Sequence, residues 1–466
     1  MSERIITPSL KSWHWRSLEL ENRTGSEVFT ALFAKGAIAS LLESPAKADP
    51  QYPHLAQYSI CAGSPRIVGN QPRLWTPVIG KILPHLRSLL ALGSNNYLED
   101  PQVAHLPFTG GWLGWLGYDL AWEIERLPTL NQDNLPFPVA YWYEPDCFAV
   151  LDHLQQTLWL AATEIEQLDE LEAKLNAATS PPNLTPPSTG LEISFLTDEQ
   201  QYQNAVKQAK QYIKAGDIFQ TNLSLRFQTQ TSCDSWLIYR RLQQINPSPF
   251  ASYWRSPWGD VISCSPERLV QLQGKQAQTR PIAGTRRRGT DLKSDRALAT
   301  ELLTNTKERA EHIMLVDLER NDLGKVCQWG TVKVDELLVI ERYSHVMHLV
   351  SNVKGILKSD RHAIDLIAGV FPGGTITGCP KVRCLEIIEE LEPIRRSLFY
   401  GSCGYLDRRG NLDLNILIRT LLYVKPPHTP LAQVYGQVGA GIVADSDPLR
   451  EWLESLNKAE AQIAAL

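Results

Sequence analysis

Short runs of β-branched and aromatic residues recur along this chain without alternating one for one with helical stretches, which argues against a doubly wound parallel sheet. Tyr141 to Phe148 and Thr157 to Ala162 read as strands, followed by an amphipathic helix over Glu164 to Ala177. Further along, strands are expected over Ile218 to Phe227, Val261 to Cys264, Leu269 to Leu272, Val332 to Ile340 and His348 to Val353. Helical periodicity covers Asp198 to Ala215, ended by Gly216-Asp217, and then Asp295 to Leu318, Lys381 to Leu391 and Pro448 to Ala465. An α+β fold follows. The stretch Thr179-Ser-Pro-Pro-Asn-Leu-Thr-Pro-Pro-Ser-Thr-Gly190 continues neither helix nor ladder, so it is read as a linker (179–190) between an N-terminal region (1–178) and a C-terminal region (191–466). At 466 residues the chain exceeds what one simple core holds, and no repeat of 20–50 residues is visible.

Charge narrows the class of partner. A net charge of -5 gives no bulk attraction to nucleic acid or to an anionic membrane. The start Met-Ser-Glu-Arg-Ile lacks an apolar stretch behind a basic one, and no 18 apolar residues run together, so a soluble, cytoplasmic protein is expected. The eight cysteines are scattered without CxxC spacing and read as small buried apolar residues rather than a zinc site or a disulfide framework.

Four segments rich in polar residues, three of them with glycines, carry the possible chemistry. Ser265-Pro-Glu267 precedes Pro281-Ile-Ala-Gly-Thr285, where Gly284 permits close backbone approach and Glu267 has the chemistry of a general acid. Lys307 to Asp322 is a charged helix in which Glu308 reads as a solvated i,i+4 partner. Glu311 differs, because helical spacing sets it near the apolar face of Met314, Leu315 and Leu318, where a cation would offset the cost of an unpaired carboxylate. Phe371-Pro-Gly-Gly-Thr-Ile-Thr-Gly-Cys-Pro-Lys381 opens a helix whose first amides suit a carboxylate, without Walker spacing. Gly436-Gln-Val-Gly439-Ala-Gly441 precedes a helix bearing Glu451, Glu454 and Lys458; no βαβ unit follows it, so no dinucleotide site is expected, and Glu454 with Lys458 reads equally well as a surface ion pair.

In their order, these segments resemble the chorismate-utilising enzymes: anthranilate synthase component I, aminodeoxychorismate synthase component I, and the isochorismate and salicylate synthases. The resemblance runs from Phe108-Thr-Gly-Gly-Trp-Leu-Gly-Trp-Leu-Gly-Tyr118 to the C-terminus and includes Asp217-Ile-Phe-Gln-Thr-Asn-Leu-Ser224, Arg309-Ala-Glu-His312, Asp317-Leu-Glu-Arg-Asn-Asp322, His345-Val-Met-His348 and Ile418-Arg-Thr420. It implies two β-sheets packed face to face with helices outside, to which both regions contribute. It also implies Mg²⁺ held by Glu311 and Glu454 and gripping the ring carboxylate of chorismate. Glu267 is implied as the acid that protonates the leaving C4 hydroxyl, and His348 as the active-site histidine. Tyr400, Arg419, Gly439, Gly441 and Lys458 are implied at the enolpyruvyl side chain, with Gly284 and Thr285 lining the ring site.

Gln220 stands where water-using members carry a lysine base, and an amide takes no proton, so amination is expected. Two products are open. Asn222, Ser265-Pro-Glu-Arg268, the Gly-Gly-Thr-Ile-Thr-Gly loop and Asp413-Leu-Asn-Ile416 resemble aminodeoxychorismate synthase, which aminates C4. Ala283 resembles the anthranilate enzyme, because many aminodeoxychorismate synthases carry a nucleophilic lysine there. Glu341-Arg-Tyr-Ser-His-Val-Met-His348 points the same way. The majority of markers favours C4. The chain has no glutaminase-type Cys/His pair, so a separate glutamine amidotransferase subunit is expected to supply ammonia. Leu42, Glu43 and Ser44 resemble a tryptophan-binding segment, with an ordinary strand end as the alternative. A silent regulatory paralogue is disfavoured by the joint presence of Glu267, Glu311, His348 and Glu454.

Overall fold

The computed structural model describes residues 13–45, 53–94, 100–178, 190–343 and 346–466. The expected linker therefore lies outside the described residues except for Gly190, as does His345. Two large antiparallel sheets dominate. The larger, of twelve strands, runs His14–Glu19, Thr157–Ala162, Cys147–Asp152, Tyr58–Ala62, Ala39–Glu43, Phe250–Ser256, Gly259–Ser265, Thr420–Val424, Ala432–Ile442, Gln220–Thr231, Ser194–Phe195, with Gly378–Cys379 added to Gln220–Thr231. The second, of ten strands, includes Ile282–Arg287, Val346–Ile356, Gln276–Arg280, Arg268–Gln273, Leu412–Asn415, Ser402–Asp407, Gly111–Leu116 and Ala140–Tyr143. Each sheet draws strands from both sides of residues 179–190.

Period-two alternation explains the layering. Along Cys147–Asp152, Phe148 and Val150 point into a core shared with Trp112, Leu113, Val270 and Leu412 of the second sheet. Their neighbours Ala149 and Leu151 point the other way, toward Phe29, Leu168, Leu171, Tyr202 and Trp236 on helices outside the larger sheet. Strands buried on both faces read as continuous apolar runs, as these do.

Helix ends follow local capping chemistry. Asp198 caps Glu199–Ala215 by accepting from the Gln201 amide, and Gly216 closes it at φ 83°. Lys381–Leu391 forms as expected. The periodic stretch Asp295 to Leu318 is not one helix but two, Leu292–Thr304 and Thr306–Val326. Asn305 divides them, because its side chain accepts from the Glu308 amide at 3.1 Å and starts a new helix. Tyr141 to Phe148 likewise divides into Ala140–Tyr143 and Cys147–Asp152, one in each sheet. No helix among the described residues is long and apolar enough to cross a membrane.

Candidate active site

The chain passes from one sheet to the other at Ser265-Pro266-Glu267, between Gly259–Ser265 and Arg268–Gln273. The Ser265 hydroxyl donates to the Ile416 carbonyl at 2.5 Å, and the Ile416 amide donates to the Glu267 carbonyl at 3.0 Å, so the crossing is tied on both sides. Glu267 is buried, and burial pushes its carboxyl up to about 8; the charge of Glu319 adds to this, while Thr375, the Ile282 amide and Arg419 oppose it. Glu267 therefore holds a proton at neutral pH, as a general acid must.

Thr285 and His348 face each other across Ile282–Arg287 and Val346–Ile356, with Thr285 Oγ1 at 3.0 Å from His348 Nδ1. Burial, then the charge of Arg419, lowers His348 to about 3, so its ring is neutral. Thr285 is exposed and His348 buried, which puts the mouth of the site at this pair. The ladder slips between Ala283 and Thr285. Gly284 occupies the slip at φ 67°, and a Cβ there would come within 2.7 Å of Glu308 Oε2, so both conformation and space call for glycine. Ala283 is half-buried opposite Leu349.

On the other side stands Arg419, whose guanidinium donates to Asn246 Oδ1 at 3.1 Å and pairs with no carboxylate among the described residues. Arg419 and Tyr400 both have left-handed backbones, at φ 49° and 64°. Such conformations at bulky residues concentrate where a side chain is held for function. Gly441 lies opposite Asn222, and Gly439 opposite Ser224, on Ala432–Ile442 and Gln220–Thr231. A Cβ on Gly441 would come within 2.7 Å of Gln220 Nε2.

Several polar atoms on these elements are buried without a hydrogen-bond partner among the described residues: Gln220 Oε1, Asn222 Oδ1, Glu308 Oε2 and the Tyr400 hydroxyl. Each such atom costs about 1–3 kcal/mol unless something pairs with it. Of these, only the hydroxyl can donate to an anionic ligand; the oxygens of Gln220, Asn222 and Glu308 accept, so they call for a ligand that carries donors such as hydroxyls as well.

The expected metal ligands fall on two helices, Thr306–Val326 and Pro448–Ala464, near enough for the charge of Glu454 to act on Glu311. Burial raises the Glu311 carboxyl, and Glu454, Glu308 and Glu451 each add repulsion, while Lys307 at 3.7 Å opposes it. Glu311 is half-buried rather than fully enclosed. Glu454 is exposed and paired with Lys458 at 2.8 Å, and Lys458 also donates to the Gly439 carbonyl at 2.9 Å. Among the described residues no three His, Cys, Asp or Glu side chains are gathered as a cation site. A pair of hard oxygen donors still fits Mg²⁺, which uses one or two carboxylates and completes its shell with water and substrate oxygens.

Two acids escaped the sequence reading. Glu308 is not a solvated i,i+4 partner: it is half-buried and takes Arg286 Nη1 at 2.9 Å across 22 residues, next to Gly284. Glu451 is buried one turn before Glu454, and burial raises its carboxyl, with Glu454 adding. The signal was the spacing, since Glu308/Glu311 and Glu451/Glu454 are both i,i+3 pairs on one helix face. Asn246, which holds Arg419, had no motif around it.

The segment carrying Leu42, Glu43 and Ser44 is the strand Ala39–Glu43 and the residue after it. Glu43 is buried and accepts from the Ser26 amide and hydroxyl at 3.0 and 2.7 Å and from the Tyr239 hydroxyl at 2.7 Å. Its carboxylate thus secures the start of Gly25–Leu32. Leu42 and Ser44 are half-buried.

A family model described as chorismate binding enzyme matches residues 48–464. An anthranilate synthase component I-like protein of Synechocystis sp. is 63% identical over 98% of this chain and 92% of its own length. Aminodeoxychorismate synthase component 1 of Bacillus subtilis is 47% identical over 77% of each chain. Anthranilate synthase component 1 of Synechocystis sp. is 43% identical over 78% of this chain and 77% of its own. Among solved structures, anthranilate synthase component I from Streptococcus pneumoniae superposes with a TM-score of 0.70 at 27% identity, covering 99% of this chain and 95% of that one.

Proposed function

Since the chain belongs to the chorismate-binding enzyme family, we propose that it is the chorismate-aminating subunit of a synthase and adds ammonia at C4 to give 4-amino-4-deoxychorismate. The observation that carries amination, whichever carbon takes the nitrogen, is a buried Glu267, its carboxyl pushed up to about 8, close enough to Arg419 to feel its charge, and Arg419 has no carboxylate partner among the described residues. Glu267 gives its proton to the C4 hydroxyl, which departs as water while nitrogen bonds to the ring. Arg419 and Lys458 receive the carboxylate of the enolpyruvyl side chain, and the Tyr400 hydroxyl supplies a donor beside it. The neutral ring of His348, steadied by Thr285, borders the substrate ring without competing for the acid's proton. Glu311 and Glu454 would hold Mg²⁺, which supplies positive charge against the ring carboxylate. Gln220 offers no base for water. Ammonia comes from a separate glutamine amidotransferase subunit.

Relatives carry the names of both products. The Synechocystis protein named as an anthranilate synthase component 1 is 43% identical, whereas a second protein of that organism, named only as like it, is 63% identical, and the aminodeoxychorismate synthase of Bacillus subtilis stands at 47%. One observation favours a second reading, anthranilate synthase component I: Ala283 offers no amine for covalent addition at C2. Calorimetric titration with chorismate in Mg²⁺ tests what both share. Binding that weakens in Arg419→Ala is expected; no binding of chorismate to the wild-type chain would remove both readings.

A further inference from the structure

The loop that carries Thr375 toward Glu267 is braced from the helix Thr306–Val326. Lys381 Nζ donates to Asp322 Oδ2 at 2.6 Å and to the carbonyls of Val370 and Pro372 at 2.8 and 2.7 Å, so one ammonium joins the entry of the loop to that helix. Asp322, which also takes Lys325 at 2.8 Å, balances that ammonium. Glu319 is the remaining acid. It is only 7% exposed, and the Gly374 amide faces its carboxyl; a Cβ built on Gly374 would collide first with Leu318 and lie 3.5 Å from Glu319 Oε1, so Leu318 and Glu319 together seat the turn Gly374–Ile376. The next residue in the turn, Thr375, is one of the groups that ease the ionisation of Glu267.

The reaction outlined above makes no use of Glu319, yet a buried carboxyl is expensive to keep without a role. Burial raises it above the usual carboxylate range and Asp322 adds to the rise, while Lys381, the Thr279 hydroxyl and the Gly374 amide oppose it. Its charge is in turn felt at Glu267. The charged groups facing Glu319 are thus Asp322, Lys381 and Glu267.

We propose that Glu319 is a positioning residue for the acid chemistry of Glu267: with Leu318 it seats the Gly374–Ile376 turn that presents Thr375, and it supplies a second buried carboxyl behind the acid. This rests on reading Glu267 as the proton donor. Two carboxyls in one low-dielectric region resist simultaneous ionisation, so Glu319 favours the protonated form of Glu267 in the alkaline range where the donor would otherwise be lost.

The test is a pH profile of chorismate amination at fixed free ammonia, taken as the ratio of variant to wild type so that the titration of ammonia cancels. In Glu319→Gln the alkaline limb should move toward acid by about half a pH unit or more, the size expected of one buried charge removed nearby. Glu319→Asp should restore it. Infrared difference spectra supply a readout independent of turnover: the protonated-carboxyl band that vanishes in Glu267→Gln should be lost at lower pH in Glu319→Gln. Lower turnover with an unmoved limb and an unmoved band would overturn the proposal. If wild type fails to aminate chorismate while the band still moves, the functional reading falls and the coupling between the two acids stands.

Discussion

Glu267→Gln should make the unliganded protein more stable while removing its activity, by an amount that follows from the burial of one carboxyl. In the folded chain this group is pushed up to about 8 from an ordinary 4.5, chiefly by burial. Between those values the folded state keeps a proton that the unfolded state has released, so this group's contribution is greatest below about pH 4.5 and declines as the pH rises toward 8. At pH 7 the unfolded carboxyl gains about 2.5 pH units of ionisation that the folded one forgoes, roughly 3 kcal/mol at 1.36 kcal/mol per unit. Glutamine has nearly the same volume and nothing to titrate, so the variant escapes that decline. Urea denaturation of both proteins should show the variant gaining about 2–3 kcal/mol on wild type between pH 5 and pH 7, with turnover reduced by about 10²–10⁴. Parallel stability profiles would show that Glu267 is not held neutral, and with them the case for a buried proton donor would fail.

Other perturbations bear on the remaining parts of the site. Gly441→Ala places a methyl 2.7 Å from Gln220 Nε2 and should raise the KM for chorismate about tenfold with the melting temperature little changed; an unchanged KM would place the ligand elsewhere. Glu311→Ala and Glu454→Ala should each abolish Mg²⁺-stimulated turnover and weaken Mg²⁺ binding by calorimetry, and full activity in either variant would remove it from the metal pair. Thr285→Val cuts the 3.0 Å contact to His348 Nδ1 and should lower kcat by about tenfold or more without altering chorismate affinity, measured in parallel by initial rates and titration. Ala283→Lys introduces an amine beside the ring site and should raise the rate of C4 amination, followed by chromatography of the product; loss of all amination would show that the pocket does not admit that route.

Elements governed by local chemistry were legible. Lys381–Leu391 and the caps Asp198 and Gly216 match the expected positions because each depends on residues only a few places away. Sheet pairing was not, since Gln220–Thr231 and Ala432–Ile442 meet across about two hundred residues and only the layered core selects that register. The same distinction holds in the site. Glu267, His348, Thr285 and Arg419 sit in motif-like segments that the fold brings near one another. Glu308 looked like an ordinary helical charge and Glu319 had no reading of its own, and what buries them, Arg286 and Gly284 for one and the loop at Gly374 for the other, lies far off in sequence. Asn305 shows the reverse failure: a strong periodic pattern hid a helix break that one capping side chain decides.

The most direct test of chorismate amination is to incubate the purified chain with chorismate, Mg²⁺ and ammonium at raised pH, and to follow the product with and without an aminodeoxychorismate lyase. Aminobenzoate formed only when the lyase is present, with no anthranilate fluorescence, is the expected result. Direct release of anthranilate would contradict amination at C4 and establish the second reading, and consumption of no chorismate would contradict the account as a whole.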